Sequence, residues 1–127
     1  EFDNWMSVLK GYAPESCAQT GRCSMQNIVE ANGDLFPCDF YVLDEHRIAN
    51  IQDKDFQLFE GIPMEKSFFK EGMKRGTGCK ECKWYPLCRG GCKRDYTEAG
   101  RNYFCSAYQG FFAYAIERME WIVRYMM

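Results

Sequence analysis

The sequence predicts an α+β fold: a small irregular domain with one β-hairpin, cysteine-rich loops and a long C-terminal helix. Three observations carry this. Residues 103–126 repeat apolar side chains at three- and four-residue steps, the period of a helix. Asn32-Gly33 separates two short apolar runs, the mark of a hairpin turn. Eight cysteines occur in 127 residues, four of them inside "CKECKWYPLCRGGC", where Pro86 and Gly90-Gly91 rule out long regular elements.

The first element is a short helix at "DNWMSVLK", residues 3–10, with Asp3 as N-cap and Gly11 as stop. Trp5, Val8 and Leu9 give it an apolar face. That face docks either on this domain's own core or on a part of the protein upstream. The hairpin follows within residues 25–38, with Ile28 and Val29 on one arm and Leu35 and Phe36 on the other. Asn32 and Gly33 are expected to form a two-residue turn with φ > 0 at both. Pro37 ends the second arm or confines it to an edge. The hairpin draws Cys23, before its first arm, toward Cys38, after its second.

Residues 40–61 are mixed, with a possible helical turn at "DFQLFE". "PMEKSFFKEGMK", residues 63–74, reads as a helix with Pro63 in its first turn. "RGTG" then breaks the chain before the cysteine loop. In the last helix Phe104, Tyr108, Phe111, Phe112, Ala115, Ile116, Met119, Ile122, Val123 and Met126 share the apolar stripe. Such a stripe is core or interface. Cys105 stands at its start, placed to pin the helix to the cysteine loop.

Aromatic residues are 17% of the chain, while Leu, Ile and Val are few. Something besides aliphatic packing therefore organises the middle of the chain. A net charge of −2 with scattered Lys and Arg excludes a general nucleic-acid binder. No apolar run approaches the ~20 residues of a membrane span. The chain opens at Glu1, directly into a helix, and is expected to be a fragment of a longer, cytoplasmic protein.

The cysteines carry the chemistry. Gaps of five and fourteen residues separate Cys17, Cys23 and Cys38. After forty more come Cys79, Cys82, Cys88 and Cys92, and Cys105 lies twelve beyond. An even count permits disulfides, but that framework belongs to secreted chains, and seven methionines are ill suited to an oxidising compartment. Eight thiolates serve two four-ligand metal sites, and soft sulfur selects zinc or iron–sulfur clusters. A zinc ribbon pairs two short C-x2-4-C knuckles; here Cys79/Cys82 has the compact form and Cys88/Cys92 stretches it. Gly90-Gly91 lets backbone N–H groups approach a cluster. Spacing alone leaves the two metals level.

The pattern C-x9-G-x4-C through Cys23, Gly33 and Cys38, then C-x2-C-x5-C-x3-C and a distal cysteine, resembles the SPASM domain of radical S-adenosylmethionine enzymes. With Cys17, "FPCDFYVLD", "CRGGCKRD" and "NYFCSAYQGFF", it resembles the anaerobic sulfatase-maturating enzymes over almost the whole chain. The resemblance implies one auxiliary domain, residues 1–127, in which residues 1–16 link to a missing radical S-adenosylmethionine barrel. It implies two 4Fe–4S clusters. Cys17, Cys23, Cys38 and Cys92 would hold the first, and Cys79, Cys82, Cys88 and Cys105 the second. Full thiolate ligation favours electron transfer or structural support over Lewis-acid chemistry. The parent reaction would oxidise a Cys or Ser of a sulfatase peptide to formylglycine, with Asp39 as general base.

The sequence departs from the family at the C-x3-C-x2-C loop that binds the S-adenosylmethionine cluster. Cys88-x3-Cys92 has no third cysteine at the required step. This chain alone is therefore expected to be inactive. A zinc-binding structural or interaction module is the alternative reading. His46, the sole histidine, reads as a surface residue in "LDEHRI". Trp84, Tyr85 and Tyr103 shield a cluster or relay its electrons.

Overall fold

A computed structural model describes residues 1–58 and 66–126. They form two compact units. The first comprises residues 1–22 and the segment from Gly72 onward, and the second runs from Cys23 to Glu71.

In the first unit, α1 (Phe2–Leu9), α2 (Cys17–Thr20), α4 (Tyr85–Cys88) and α5 (Cys105–Met126) supply the regular structure. The sequence expectation for α1 holds except at its start. The cap is Glu1, one turn position before the helix, and Asp3 lies inside. The apolar face of α1 packs on α5, so of its two expected docking surfaces the internal one is used. Trp5 meets Phe112 edge-on at 5.0 Å and Tyr108 at 6.1 Å between ring centroids. Trp5, Met6, Leu87, Phe112, Ala115 and Met119 form the buried core. Aromatic pairs of this kind contribute about 0.5–1.5 kcal/mol each beyond the area they bury. The aromatic-rich composition is thus used as core.

α5 begins at Cys105, two residues later than the apolar period predicts. Its stripe is buried at Phe112, Ala115 and Met119, while Phe104, Phe111 and Met126 at its margins are exposed. Asn4 Oδ1 accepts hydrogen bonds from the N–H groups of Glu15 (2.7 Å) and Ser16 (2.8 Å). This pins the loop that delivers Cys17 onto α1.

In the second unit, β1 (Ile28–Val29), β2 (Asp34–Phe36) and β3 (Ala49–Asn50) make an antiparallel sheet in the order β1-β2-β3. Ile28 faces Phe36 and Val29 faces Leu35. The predicted hairpin is present, but its turn differs. The Gly33 N–H donates to Glu30 O at 2.8 Å and the Glu30 N–H to Asp34 O at 2.9 Å. Of Asn32 and Gly33, only Gly33 has positive φ, +86°. The loop therefore spans Ala31–Gly33, with glycine at the left-handed position that follows a type I turn. β2 ends at Phe36, before Pro37, as a missing N–H requires.

The third strand extends the predicted hairpin to a sheet. Asn50 binds it through its side chain, donating to Asn32 O (3.1 Å) and Asp34 Oδ1 (2.9 Å). Arg47 pairs with the same Asp34 and holds its carboxyl below the usual carboxylate range. α3 (Ser67–Gly72) is shorter than the predicted helix. Pro63 and the end of "DFQLFE" lie outside the described residues. Residues 55–58 form no helix. His46 packs edge-on against Tyr41 (5.2 Å) and Phe68 (5.3 Å), inside an aromatic group that includes buried Phe69.

Candidate metal centre

The cysteine loop is a run of tight turns. The Cys79 N–H donates to Gly76 O (3.1 Å), Cys82 N–H to Cys79 O (3.3 Å) and Tyr85 N–H to Cys82 O (2.9 Å). The single turn of α4 then ends at Cys88. Arg89, Gly90 and Gly91 follow with φ of +50°, +88° and +72°. Two glycines in that run relieve the steric cost of the left-handed region. The close quarters add a second reason: a Cβ on Gly91 would stand 2.6 Å from Asn102 Nδ2.

These turns, with the start of α5, enclose one cavity. Cys79, Cys82, Cys88 and Cys105 all line it, beside Trp84, Tyr85, Arg101, Asn102, Tyr108 and Gln109. Cys92 is not among its lining residues. It caps the next helical turn, Lys93–Asp95. Cys79, Cys82, Cys88, Cys92 and Cys105 are thiols outside any disulfide.

Two of the four cavity sulfurs have a side-chain N–H group directed at them. Arg101 Nη2 donates to Cys105 Sγ at 3.2 Å, and Gln109 Nε2 approaches Cys82 Sγ at 3.8 Å. Burial pushes the Cys79 and Cys88 thiols up, and the neighbouring thiolates push them further. A positive metal centre reverses that repulsion and draws the protons off.

The residues therefore fit a thiolate-bound iron–sulfur cluster in donor chemistry: four soft ligands, one shared cavity and a set of N–H groups to delocalise charge from sulfur. Among the described residues no three His, Cys, Asp or Glu side chains stand close enough to hold a metal ion. The fit thus rests on the donors and the shared cavity, not on a closed coordination polyhedron.

Asn102 is the structural clasp of this site, and sequence reading missed it. It is 6% exposed. Its Nδ2 donates to Gly90 O at 3.1 Å, and its Oδ1 accepts from the Phe104 N–H at 2.8 Å. It thereby ties the glycine turn to the start of α5. The available signal was an Asn three residues ahead of a helix, the position of an Asx turn or cap. Arg101 and Gln109 were missed as well. Gln109 lies 27 residues from Cys82, beyond any local pattern.

The remaining candidates are distributed. Cys17 opens α2, which packs on α4 in the first unit, where Cys92 also lies. Cys23 and Cys38 belong to the second unit, at the open end of the hairpin. Pairing there continues past the strands, with Gln26 N–H on Pro37 O (2.9 Å) and Asp39 N–H on Gln26 Oε1 (3.2 Å). Asp39 is exposed and begins a helical turn, Asp39–Tyr41. The Cys38 thiol donates to its Oδ1 at 3.5 Å. Trp84 and Tyr85 line the cavity, whereas Tyr103 is 73% exposed and does not.

Fold and cysteine array define a cysteine-rich α+β domain of the kind that the sulfatase-maturating resemblance implies. No family model matches the chain. The chain is a homologue of the anaerobic sulfatase-maturating enzymes. It is 36% identical to the cysteine-type enzyme of Clostridium novyi over 97% of its own length and 34% of that protein's. With the cysteine-type enzyme of Clostridium perfringens (strain 13) it shares 40% identity over 93% of this chain and 33% of that one. The serine-type enzyme of Bacteroides thetaiotaomicron is 28% identical over 99% of this chain and 32% of that protein. The solved structure of native anSMEcpe with bound AdoMet superimposes with a TM-score of 0.86 at 38% identity, covering 98% of this chain and 35% of that one. The form with bound AdoMet and Cp18Cys peptide gives 0.87 at 38% identity, with 99% and 36% covered. The chain spans about a third of the length of the curated relatives it matches. No helix among the described residues is long and apolar enough to cross a membrane.

Proposed function

We propose that this chain is the auxiliary domain of a radical S-adenosylmethionine enzyme that oxidises a Cys or Ser of a sulfatase to formylglycine. It binds two 4Fe–4S clusters and serves electron transfer and substrate positioning. The observation that carries the reading is the single cavity lined by Cys79, Cys82, Cys88 and Cys105, with side-chain N–H donors on Cys105 and Cys82. It occurs in a homologue of the sulfatase-maturating enzymes.

Those four cysteines hold the second cluster. Cys17, Cys23, Cys38 and Cys92 hold the first, an assignment supported by the sequence resemblance. When bound, such clusters accept and pass on single electrons. The protein's own part is to fix the four sulfurs, to exclude water with Trp84, Tyr85 and Tyr108, and to place N–H groups on the thiolates. Asp39 takes the proton of the substrate thiol or hydroxyl. S-adenosylmethionine binds a barrel of the same protein, as the resemblance to the sulfatase-maturating enzymes implies; this sequence itself has no C-x3-C-x2-C loop.

The test is metal analysis of the chain purified without oxygen. About eight irons and eight sulfides per chain, with a broad absorption that bleaches on reduction, are expected. About two zincs in a colourless solution, persisting after anaerobic reconstitution with iron and sulfide, would replace the reading with the zinc-binding module.

A further inference from the structure

The two side-chain N–H donors on the cavity sulfurs are not alike. Gln109 offers Cys82 a neutral amide at 3.8 Å. Arg101 places a full positive charge 3.2 Å from Cys105 Sγ. Hydrogen bonds to sulfur and nearby charge are two of the protein's levers on a cluster's reduction potential.

From this we infer that Arg101 is a positioning residue that raises the reduction potential of the cluster held by Cys79, Cys82, Cys88 and Cys105, with Gln109 a weaker partner on the same cluster. The inference rests on the iron–sulfur reading above. Reduction adds negative charge to the cluster and its thiolates. A guanidinium hydrogen-bonded to one thiolate stabilises the reduced form more than the oxidised one. The side chain is not needed to shape its loop. The Arg101 carbonyl accepts from the Thr97 N–H (2.9 Å) and Oγ1 (3.1 Å), and the Tyr96–Asn102 bridge closes the same loop through backbone. The guanidinium itself is exposed, where solvent and salt weaken its field. A moderate effect is therefore expected.

The experiment is an anaerobic potentiometric titration of the reconstituted chain, followed by visible bleaching and electron paramagnetic resonance. The wave of this cluster is the one lost in Cys105→Ala. Arg101→Gln should favour the oxidised form of that couple about tenfold, a shift of about 59 mV to more negative potential for one electron. The other wave should stay in place. Arg101→Lys, which keeps the charge, should recover at least half of the shift, and Gln109→Leu should move the same wave about twofold in equilibrium constant. A wild-type chain without iron would refute the cluster reading and this inference with it. Iron present and both waves unmoved in Arg101→Gln would overturn the inference alone. Loss of half the iron from Arg101→Gln with unchanged circular dichroism would also overturn it, because Arg101 would then hold the cluster instead of tuning it.

Discussion

Replacing Asn102 with Ala removes the clasp between the glycine turn and α5. Two hydrogen bonds disappear, one to Gly90 O at 3.1 Å and one from the Phe104 N–H at 2.8 Å. Each is worth a net ~1 kcal/mol, and leaving a buried partner unmatched adds ~1–3 kcal/mol. The site is 6% exposed, so water replaces the lost partners poorly. The sum is a loss of about 3–5 kcal/mol. With a urea slope of about 2 kcal/mol/M for a domain of this size, the unfolding midpoint should fall by about 1.5–2.5 M. The assay is anaerobic urea unfolding of the metal-loaded chain, read by far-UV circular dichroism and by cluster absorption. Asn102→Asp separates the two bonds. It keeps the acceptor for Phe104 but turns a carboxylate oxygen on Gly90 O and adds negative charge beside Cys88 and Cys105. It should lose cluster absorption earlier than Asn102→Ala relative to the loss of helix. Midpoints within about 0.2 M of wild type for both variants would refute the clasp.

Three further outcomes are expected. Cys38→Ala and Cys105→Ala should each lose about half the iron, and the double variant nearly all of it, by metal analysis; single variants that retain full iron would break the two-site assignment. Trp5→Ala empties the contact with Phe112 and Tyr108 and should cost about 3–5 kcal/mol in chemical unfolding. Burial first, then nearby negative charges, push the Tyr108 phenol up to about 12 from 10.0. The folded state thus holds this proton more tightly than the unfolded one. Its stabilising contribution is complete below pH 10.0 and is lost as pH rises toward 12. Between those limits wild type should lose stability faster than Tyr108→Phe, measured by unfolding midpoints across alkaline pH.

Much of the architecture was legible because its signals are local. The stripe on α5 and the apolar face of α1 are both written at helical spacing. Gly33 marks the hairpin, although Asn32 is not in the left-handed region that the dipeptide signal assumes. β3 was illegible for a physical reason. It is two residues long, too short for any period, and the side chain of Asn50 secures it to residues 16 to 18 positions earlier. The N–H donors at the cavity escaped for the same reason. Arg101 and Gln109 carry no motif, and their role exists only once α5 lies over the cysteine loop.

The cysteine loop shows the limit most clearly. Proximity in sequence argues that Cys79, Cys82, Cys88 and Cys92 share a site, yet the cavity is lined by the first three and Cys105. The cause lies in the three residues after Cys88. Arg89, Gly90 and Gly91 all sit at positive φ, and the Gly91 N–H folds back on Cys88 O at 3.0 Å. A chain in the left-handed region for three successive residues turns sharply. Cys92 therefore leaves the wall of the cavity, and the Gly90 carbonyl is presented to Asn102. Asn102 in turn sets the first turn of α5, three residues before Cys105. The two glycines were readable as a turn, but its direction depends on which carbonyl Asn102 captures twelve residues later. The fourth sulfur of the cavity is thus chosen by a buried amide, and exchanging Gly91 for Ala, with its Cβ 2.6 Å from that amide, should release iron from this site before the other.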